Sequence, residues 1–211
     1  MTEGLILENV QIALGGKTLL AVDAHVPKGK VLTIMGPSGS GKSSLLAFIG
    51  GFLDPVFTAS GRVISDGKVL TDLPPQERHA GILFQDPLLF PHMSAGGNLA
   101  FALAPEFKGR QARRERCEFA LENIGLGGFY DRDPDSLSGG QRARVALARV
   151  LLSEPRALLL DEPFSKLDME LRGQMRELVF EKAGTRGLPV ILVTHDPSDA
   201  AAAGGEILRI D

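Results

Sequence analysis

The strongest chemical signal is the run Gly36, Pro37, Ser38, Gly39, Ser40, Gly41, Lys42, Ser43, Ser44, which matches G-x-x-x-x-G-K-[ST] directly after the apolar run Val31 to Met35. Glycines at these places let the backbone curl so that successive N–H groups face phosphate oxygens. The helix that begins there adds its partial positive charge. Lys42 is positioned to neutralise phosphate charge and the Ser43 hydroxyl to ligate Mg²⁺. A nucleoside triphosphate site follows, though nucleoside monophosphate kinases open with the same loop. A second signal separates the two uses. Asp161 and Glu162 end the apolar run Ala157 to Leu160, which places Asp161 to hold Mg²⁺ through water and Glu162 to polarise a water for in-line attack on the γ-phosphate. A small-molecule kinase has no need of the second carboxylate. His195 closes another apolar strand, "PVILVT", at the edge where ligand groups collect in open α/β sheets.

These groups need a scaffold that ends several strands side by side. Short apolar runs alternate with helical periods from Val31 onward: "VLTIM" into "GKSSLLAFIGGF", "AGILFQ", "ALLLDEP" into "LDMELRGQMRELVFEKA", and "PVILVTH" into "PSDAAAAGG". Such alternation predicts a parallel α/β core. The first third reads instead as strands and turns, with Asp66-Gly67 a hairpin turn between β-branched runs, so an antiparallel sheet is expected there. Between "FQDP" and "SEPRALLLDE" the pattern is mostly helical, an insertion in the core. The expected division is a core formed by residues 1–86 and 154–211 and a helical subdomain over 87–153.

Composition narrows the partners. The 211 residues carry a net charge of −3, which gives no basic footprint for nucleic acid. The run "RQARRER" is interspersed by Glu115 and Glu118 and reads as a solvated helix face. No stretch approaches the roughly 20 apolar residues needed to cross a bilayer, and the N-terminus lacks the pattern of a secretory signal. The single cysteine, Cys117, excludes an intrachain disulfide and reads as an inert helix thiol. His25, His79 and His92 read as surface or packing residues.

One stretch remains: "LSGGQ", Leu137 to Gln141, opening a helix on the insertion. Ser138, Gly139 and Gly140 there form a second anion site of hydroxyl, N–H groups and helix dipole. With "LSGGQ" lying between the phosphate loop and "ALLLDEP", the chain resembles the ATP-binding cassette (ABC) ATPases over nearly its whole length. The resemblance implies a P-loop NTPase (RecA-like) core, with ATP and Mg²⁺ as cofactors. It implies Gln85 in "ILFQDPLLFPHMSAGGNL" as a Mg²⁺ and water sensor, Asp168 in "SKLD" as the D-loop aspartate, and His195 as the switch histidine. It also answers why two phosphate sites occur. In the family two cassettes pack head to tail, so Ser138, Gly139, Gly140 and Gln141 complete the ATP site of a second copy. Glu162, His195 and Lys42 are then the catalytic set, and Ser43, Gln85 and Asp161 the metal set.

The family's usual partners are transmembrane permease subunits, whose short helices dock beside the glutamine loop. Here Leu88 to Met93 offers that apolar surface. The wording of this stretch is similar to ATPases of binding-protein-dependent importers of thiamine, iron, sulfate or polyamines. That similarity implies import, a solute-binding protein in the complex, and a peripheral position on the cytoplasmic face of the inner membrane. An exporter or lipoprotein-release ATPase, or a soluble ABC ATPase of DNA repair or the ribosome, remains the alternative. The chain ends at "EILRID", either as a minimal cassette or as a trimmed one. Three departures from the family stand out. Aliphatic Ala13 and Leu14 lie where an aromatic residue usually stacks on adenine, Lys166 adds charge to the D-loop, and Ala143 replaces a common glutamine.

Overall fold

The computed structural model describes residues 3–210. The expected outer limits of the core, residues 1, 2 and 211, lie outside the described residues. Among the described residues nine strands and seven α-helices follow in chain order: β1 (Leu5–Leu14), β2 (Lys17–Val26), β3 (Val31–Met35), α1 (Lys42–Gly50), β4 (Phe57–Ser65), β5 (Lys68–Val69), α2 (Pro75–Arg78), β6 (Ala80–Leu83), α3 (Ala95–Ala102), α4 (Arg110–Glu122), α5 (Gly139–Leu152), β7 (Ala157–Asp161), α6 (Met169–Thr185), β8 (Val190–Thr194), α7 (Pro197–Ala203) and β9 (Glu206–Arg209). The chain forms two compact units, one of residues 1–82, 156–162 and 180–211, the other of residues 83–155 and 163–179. The expected helical segment 87–153 lies inside the second unit.

The first unit holds two sheets. The antiparallel sheet has the order β2-β1-β4-β5. Leu5 and Leu7 of β1 point inward, yet so do Val10 and Ile12, which a strict alternation forbids. A bulge resolves the conflict: the register shifts between Leu7 and Val10, and Asn9 takes a left-handed φ of 47°. Gly61 lies across the sheet from the bulge. A Cβ there would sit 2.4 Å from the Asn9 carbonyl, so only glycine fits. Asp66-Gly67 joins β4 to β5 with φ of 48° and 79°, as the hairpin reading requires.

The second sheet has the order β6-β7-β8-β3-β9, with β7, β8, β3 and β9 parallel. Its central strands are buried throughout (β8 along its whole length, β7 up to Leu160), which explains their continuous apolar runs. Asp161 pairs with Val193, and Met35 with Thr194, so the carboxyl ends of β7, β8 and β3 lie side by side. Leu45, Leu46 and Ile49 of α1 pack into the same core as Leu159, Ile191 and Ile34. Each such buried side chain contributes about 1.5–3 kcal/mol relative to exposure.

The second unit packs α3, α4 and α5 around Ala95, Leu99, Cys117, Leu121, Val145, Ala148 and Leu152. Cys117 is fully buried there, and burial pushes its thiol up to about 11, which keeps it unreactive.

Candidate functional site

In the first unit the loop between β3 and α1 curls as its composition requires. Gly39 and Gly41 have φ of 83° and 86°, a region that other residues enter at a cost. A Cβ on Gly36 would lie 2.8 Å from the Ile210 carbonyl. The Lys42 side chain folds back into the loop with 6% of its residue surface exposed. Its ammonium donates to the carbonyls of Gly36 at 2.8 Å and Pro37 at 2.6 Å. Ser40 Oγ also donates to Pro37 O, at 2.9 Å. These bonds hold a cation at the mouth of an N–H-lined loop, the arrangement that phosphate oxygens need. The far end of α1 is fixed as well. Arg78, 8% exposed, donates to the carbonyls of Phe48, Ile49, Leu73 and Thr71, which satisfies the last turn of the helix. Sequence reasoning missed Arg78, because an arginine between a short helix and a strand carries no periodic signal.

Ser43 Oγ donates to Asp161 Oδ1 at 2.8 Å, joining the loop to the end of β7. The two hard oxygen donors fit a Mg²⁺ ion. Burial raises the Asp161 pKa above the usual aspartate range, and the Glu162 charge adds to the rise, while the Ser43 bond and Lys42 oppose it. A bound cation would relieve that burden. Because the folded-state pKa is raised, the ionised carboxylate costs stability at pH values above it, and the cost vanishes as pH falls below the unfolded-state value. Asp161→Asn keeps an acceptor for Ser43 and removes the buried charge. The variant is expected to raise the melting temperature of the nucleotide-free protein by about 2–4 °C at pH 7, a gain on the order of 1 kcal/mol. The difference should shrink toward pH 3, while Mg²⁺-dependent hydrolysis is lost at every pH. Calorimetry across that pH range checks both signs.

Glu162 follows with φ of 47° and its N–H bonded to the Val193 carbonyl at 3.0 Å. His195 Nδ1 lies 3.1 Å from Glu162 Oε1, with the histidine side chain 64% exposed. The first unit therefore gathers Lys42, Ser43, Asp161, Glu162 and His195 at one sheet edge. Leu14, at the expected adenine position, is 40% exposed and pairs with Phe57 across β1 and β4.

The second unit carries the remaining residues. Ser138 caps α5: its Oγ accepts from the Gln141 N–H at 3.3 Å, and Gln141 Oε1 accepts from the Ser138 N–H at 2.9 Å. The two glycines behind it differ. A Cβ on Gly140 would lie 2.9 Å from Leu171 Cδ2, so a side chain there would push the end of that leucine aside. A Cβ on Gly139 would meet nothing within 4 Å. Asp168 caps α6 by accepting from the Leu171 N–H at 3.0 Å. Gln85, Gly139 and Lys166 line one cavity of about 250 Å³. The Lys166 charge is matched by Asp86, whose Oδ1 lies 2.5 Å from its ammonium. Sequence reading also missed Asn98 and Arg149, which shape the loop after Gln85. Neither belongs to a pattern that stands out from helix composition.

The ABC transporter family model matches residues 19–165, more than half of the chain. The uncharacterized ABC transporter ATP-binding protein YnjD of Escherichia coli K12 is 47% identical over 199 residues, covering 94% of this chain and 91% of that protein. The thiamine import ATP-binding protein ThiQ of Vibrio vulnificus is 42% identical over 193 residues, covering 92% and 81%. The Fe(3+) ions import ATP-binding protein FbpC 1 of Haemophilus influenzae is 40% identical over 205 residues, covering 97% of this chain and only 62% of its own length. Among solved structures, the dimeric post-hydrolysis state of the cassette MJ0796 bound to ADP and Pi superposes with a TM-score of 0.81 at 31% identity, covering 98% and 94% of the two chains. A second dimeric structure of MJ0796, a bacterial ABC transporter cassette, gives 0.80 at 32% identity, with the same coverage. By a family model and by relatives that span it almost end to end, this chain belongs to the ABC transporter family and is one of its ATP-binding, ATP-hydrolysing cassettes.

Proposed function

We propose that two copies of the chain close head to tail on ATP and that the cycle drives solute import through permease subunits. The observation that carries this reading is Gly139. Its own unit leaves open the space that a side chain would fill, while the neighbouring Gly140 faces Leu171 of α6. A glycine kept bare at an exposed helix N-terminus suits close approach by a phosphate from outside the unit. The structural relative described as dimeric and bound to ADP and Pi supports the pairing of two copies. Import is supported by the relatives described as thiamine and iron import proteins.

In this reading Lys42 and the phosphate-loop N–H groups bind the β- and γ-phosphates. Glu162 takes a proton from the attacking water, and His195 orients that carboxylate and senses the γ-phosphate. Ser43 and Asp161 would hold Mg²⁺, which when bound would neutralise phosphate charge, and Gln85 keeps the sensor role that the family resemblance gives it. Asp168 joins the dimer contact from the start of α6. The apolar surface from Leu88 to Met93, with Leu88 58% exposed, receives a permease helix. Among the described residues no helix is long and apolar enough to cross a membrane. In this reading the chain works at the cytoplasmic face of the membrane through its permease, with a solute-binding protein in the complex, as the relatives described as import ATP-binding proteins suggest.

Light scattering of the Glu162→Gln protein tests the assembly. ATP is expected to double its mass, and a monomer that still binds ATP would overturn the shared-site reading. Ser138→Arg brings an unpaired charge into the closed interface, and the dimer is expected to weaken at least about 100-fold. Nucleotide affinity of the monomer should not change, because Ser138 lies outside the phosphate loop. Unchanged dimerisation in this variant would remove the signature from the site.

A further inference from the structure

The loop between β6 and α3 is held in shape by two side chains. Asn98 is fully buried, and its Nδ2 donates to the carbonyls of Phe90, Met93 and Ser94 at 3.1, 3.3 and 3.1 Å. Its Oδ1 accepts from the Phe90 N–H at 2.8 Å. Arg149, in the last turn of α5, reaches the other half of the loop. Its Nη1 donates to Leu88 O at 2.9 Å and makes a longer contact with Asn98 Oδ1 at 3.4 Å, while Nη2 donates to Pro87 O at 3.2 Å. The guanidinium also lies 5.4 Å from the centre of the Phe90 ring. Leu88 has a φ of 46°, a conformation that costs energy for a leucine and persists where surrounding contacts dictate it.

The partners of Arg149 are all uncharged. Burial lowers its pKa, so water has been given up without an ion pair in return. Such a residue is poorly explained as a source of stability, since a leucine or methionine would fill the space at less cost. What arginine supplies is a planar fork that fixes two successive carbonyls relative to a helix. The position on that helix matters. Ser138 and Arg149 stand 11 residues apart on α5, about three full turns, so the two lie on nearly the same face about 16 Å apart. The cap at one end of the rod meets the second copy's nucleotide in the reading above, and the fork at the other end grips the loop.

We propose that Arg149 is a positioning residue that makes α5 and the Pro87–Met93 loop one mechanical body, so that engagement of Ser138 by ATP is felt at Leu88. The inference rests on the head-to-tail reading. The surface offered to a membrane partner is then set by the signature helix rather than by the loop's own sequence.

A reporter at Leu88 tests this. Leu88→Cys in the Glu162→Gln protein is labelled with a bimane fluorophore; Cys117 is buried and stays out of the reaction. The mass in solution is read on the same samples. ATP is expected to shift the bimane emission as the dimer forms. Adding Arg149→Met should abolish the shift while the dimer still forms, and Arg149→Lys, which can reach one carbonyl, should keep part of it. Hydrogen exchange at the Phe90 amide should rise about tenfold in the methionine variant, without a change in ATP affinity. An undiminished shift in Arg149→Met overturns the inference, as does a parent dimer with no shift at all. If the parent binds ATP but stays monomeric, the mass shows that the head-to-tail reading has failed, and the inference falls with it.

Discussion

Glu162→Gln is expected to retain ATP binding and to lose turnover by about 10²–10⁴-fold, the contribution of a positioned general base. The substitution is nearly isosteric, so the contacts that fix the residue should survive. The backbone bond from Glu162 N–H to Val193 O does not involve the side chain. The amide oxygen can still lie where Oε1 now meets His195 Nδ1 at 3.1 Å. What is lost is the ability to accept a proton from water as the bond to the γ-phosphate forms. Asp161, one residue earlier, is the informative contrast. Its Oδ1 is already occupied by the Ser43 hydroxyl, and the Lys42 charge favours its ionised form, so it serves the phosphate loop. Phosphate release and equilibrium binding of a fluorescent ATP analogue, measured on the same sample, separate the two steps. Hydrolysis within about tenfold of the parent would be too small a loss for a general base and would move that role elsewhere.

The chemistry of this chain was more legible in its sequence than the mechanics. The phosphate loop announces itself because a curled backbone demands glycine at fixed places, and Gly39 and Gly41 adopt the left-handed φ that their positions implied. Asp66-Gly67 was readable for the same reason. The continuous apolar runs of β3, β7 and β8 reported burial on both faces and hence a parallel sheet. The bulge at Asn9 was not legible: an asparagine in a strand pattern carries no unique signal, and the glycine that accommodates it, Gly61, lies on another strand. Nor could sequence show that residues 163–179 pack with the helical unit, since helix periodicity marks an apolar face without naming what covers it. Lys166 read only as a charge added to the D-loop, because its partner, Asp86, is 80 residues away in the chain. Arg78 and Arg149 were hidden in the same manner. Each serves backbone carbonyls, and carbonyls have no letter in the sequence.

Lys42→Ala is expected to weaken ATP binding by roughly 100-fold or more, the upper end of what charge-assisted hydrogen bonds supply. Two losses combine. The ammonium that would meet the β- and γ-phosphate oxygens disappears, and so do its bonds to the carbonyls of Gly36 and Pro37, which keep the loop curled around it. The second loss explains why charge alone should not rescue the site. Lys42→Arg keeps the charge, but the planar guanidinium must enter a space where the lysine is 6% exposed and held by carbonyls 2.8 and 2.6 Å away. Arginine is therefore expected to bind ATP far more weakly than lysine, though better than alanine. The Lys42 ammonium bonds carbonyls rather than carboxylates, so neither variant breaks an ion pair and both should fold, although Lys42→Ala also removes a charge that eases the ionisation of Asp161. Titration calorimetry with ATP, alongside a melting curve, checks the order lysine, arginine, alanine. If Lys42→Ala binds ATP as the parent does while folding normally, the loop is not the nucleotide site, and every role assigned around it must be reconsidered.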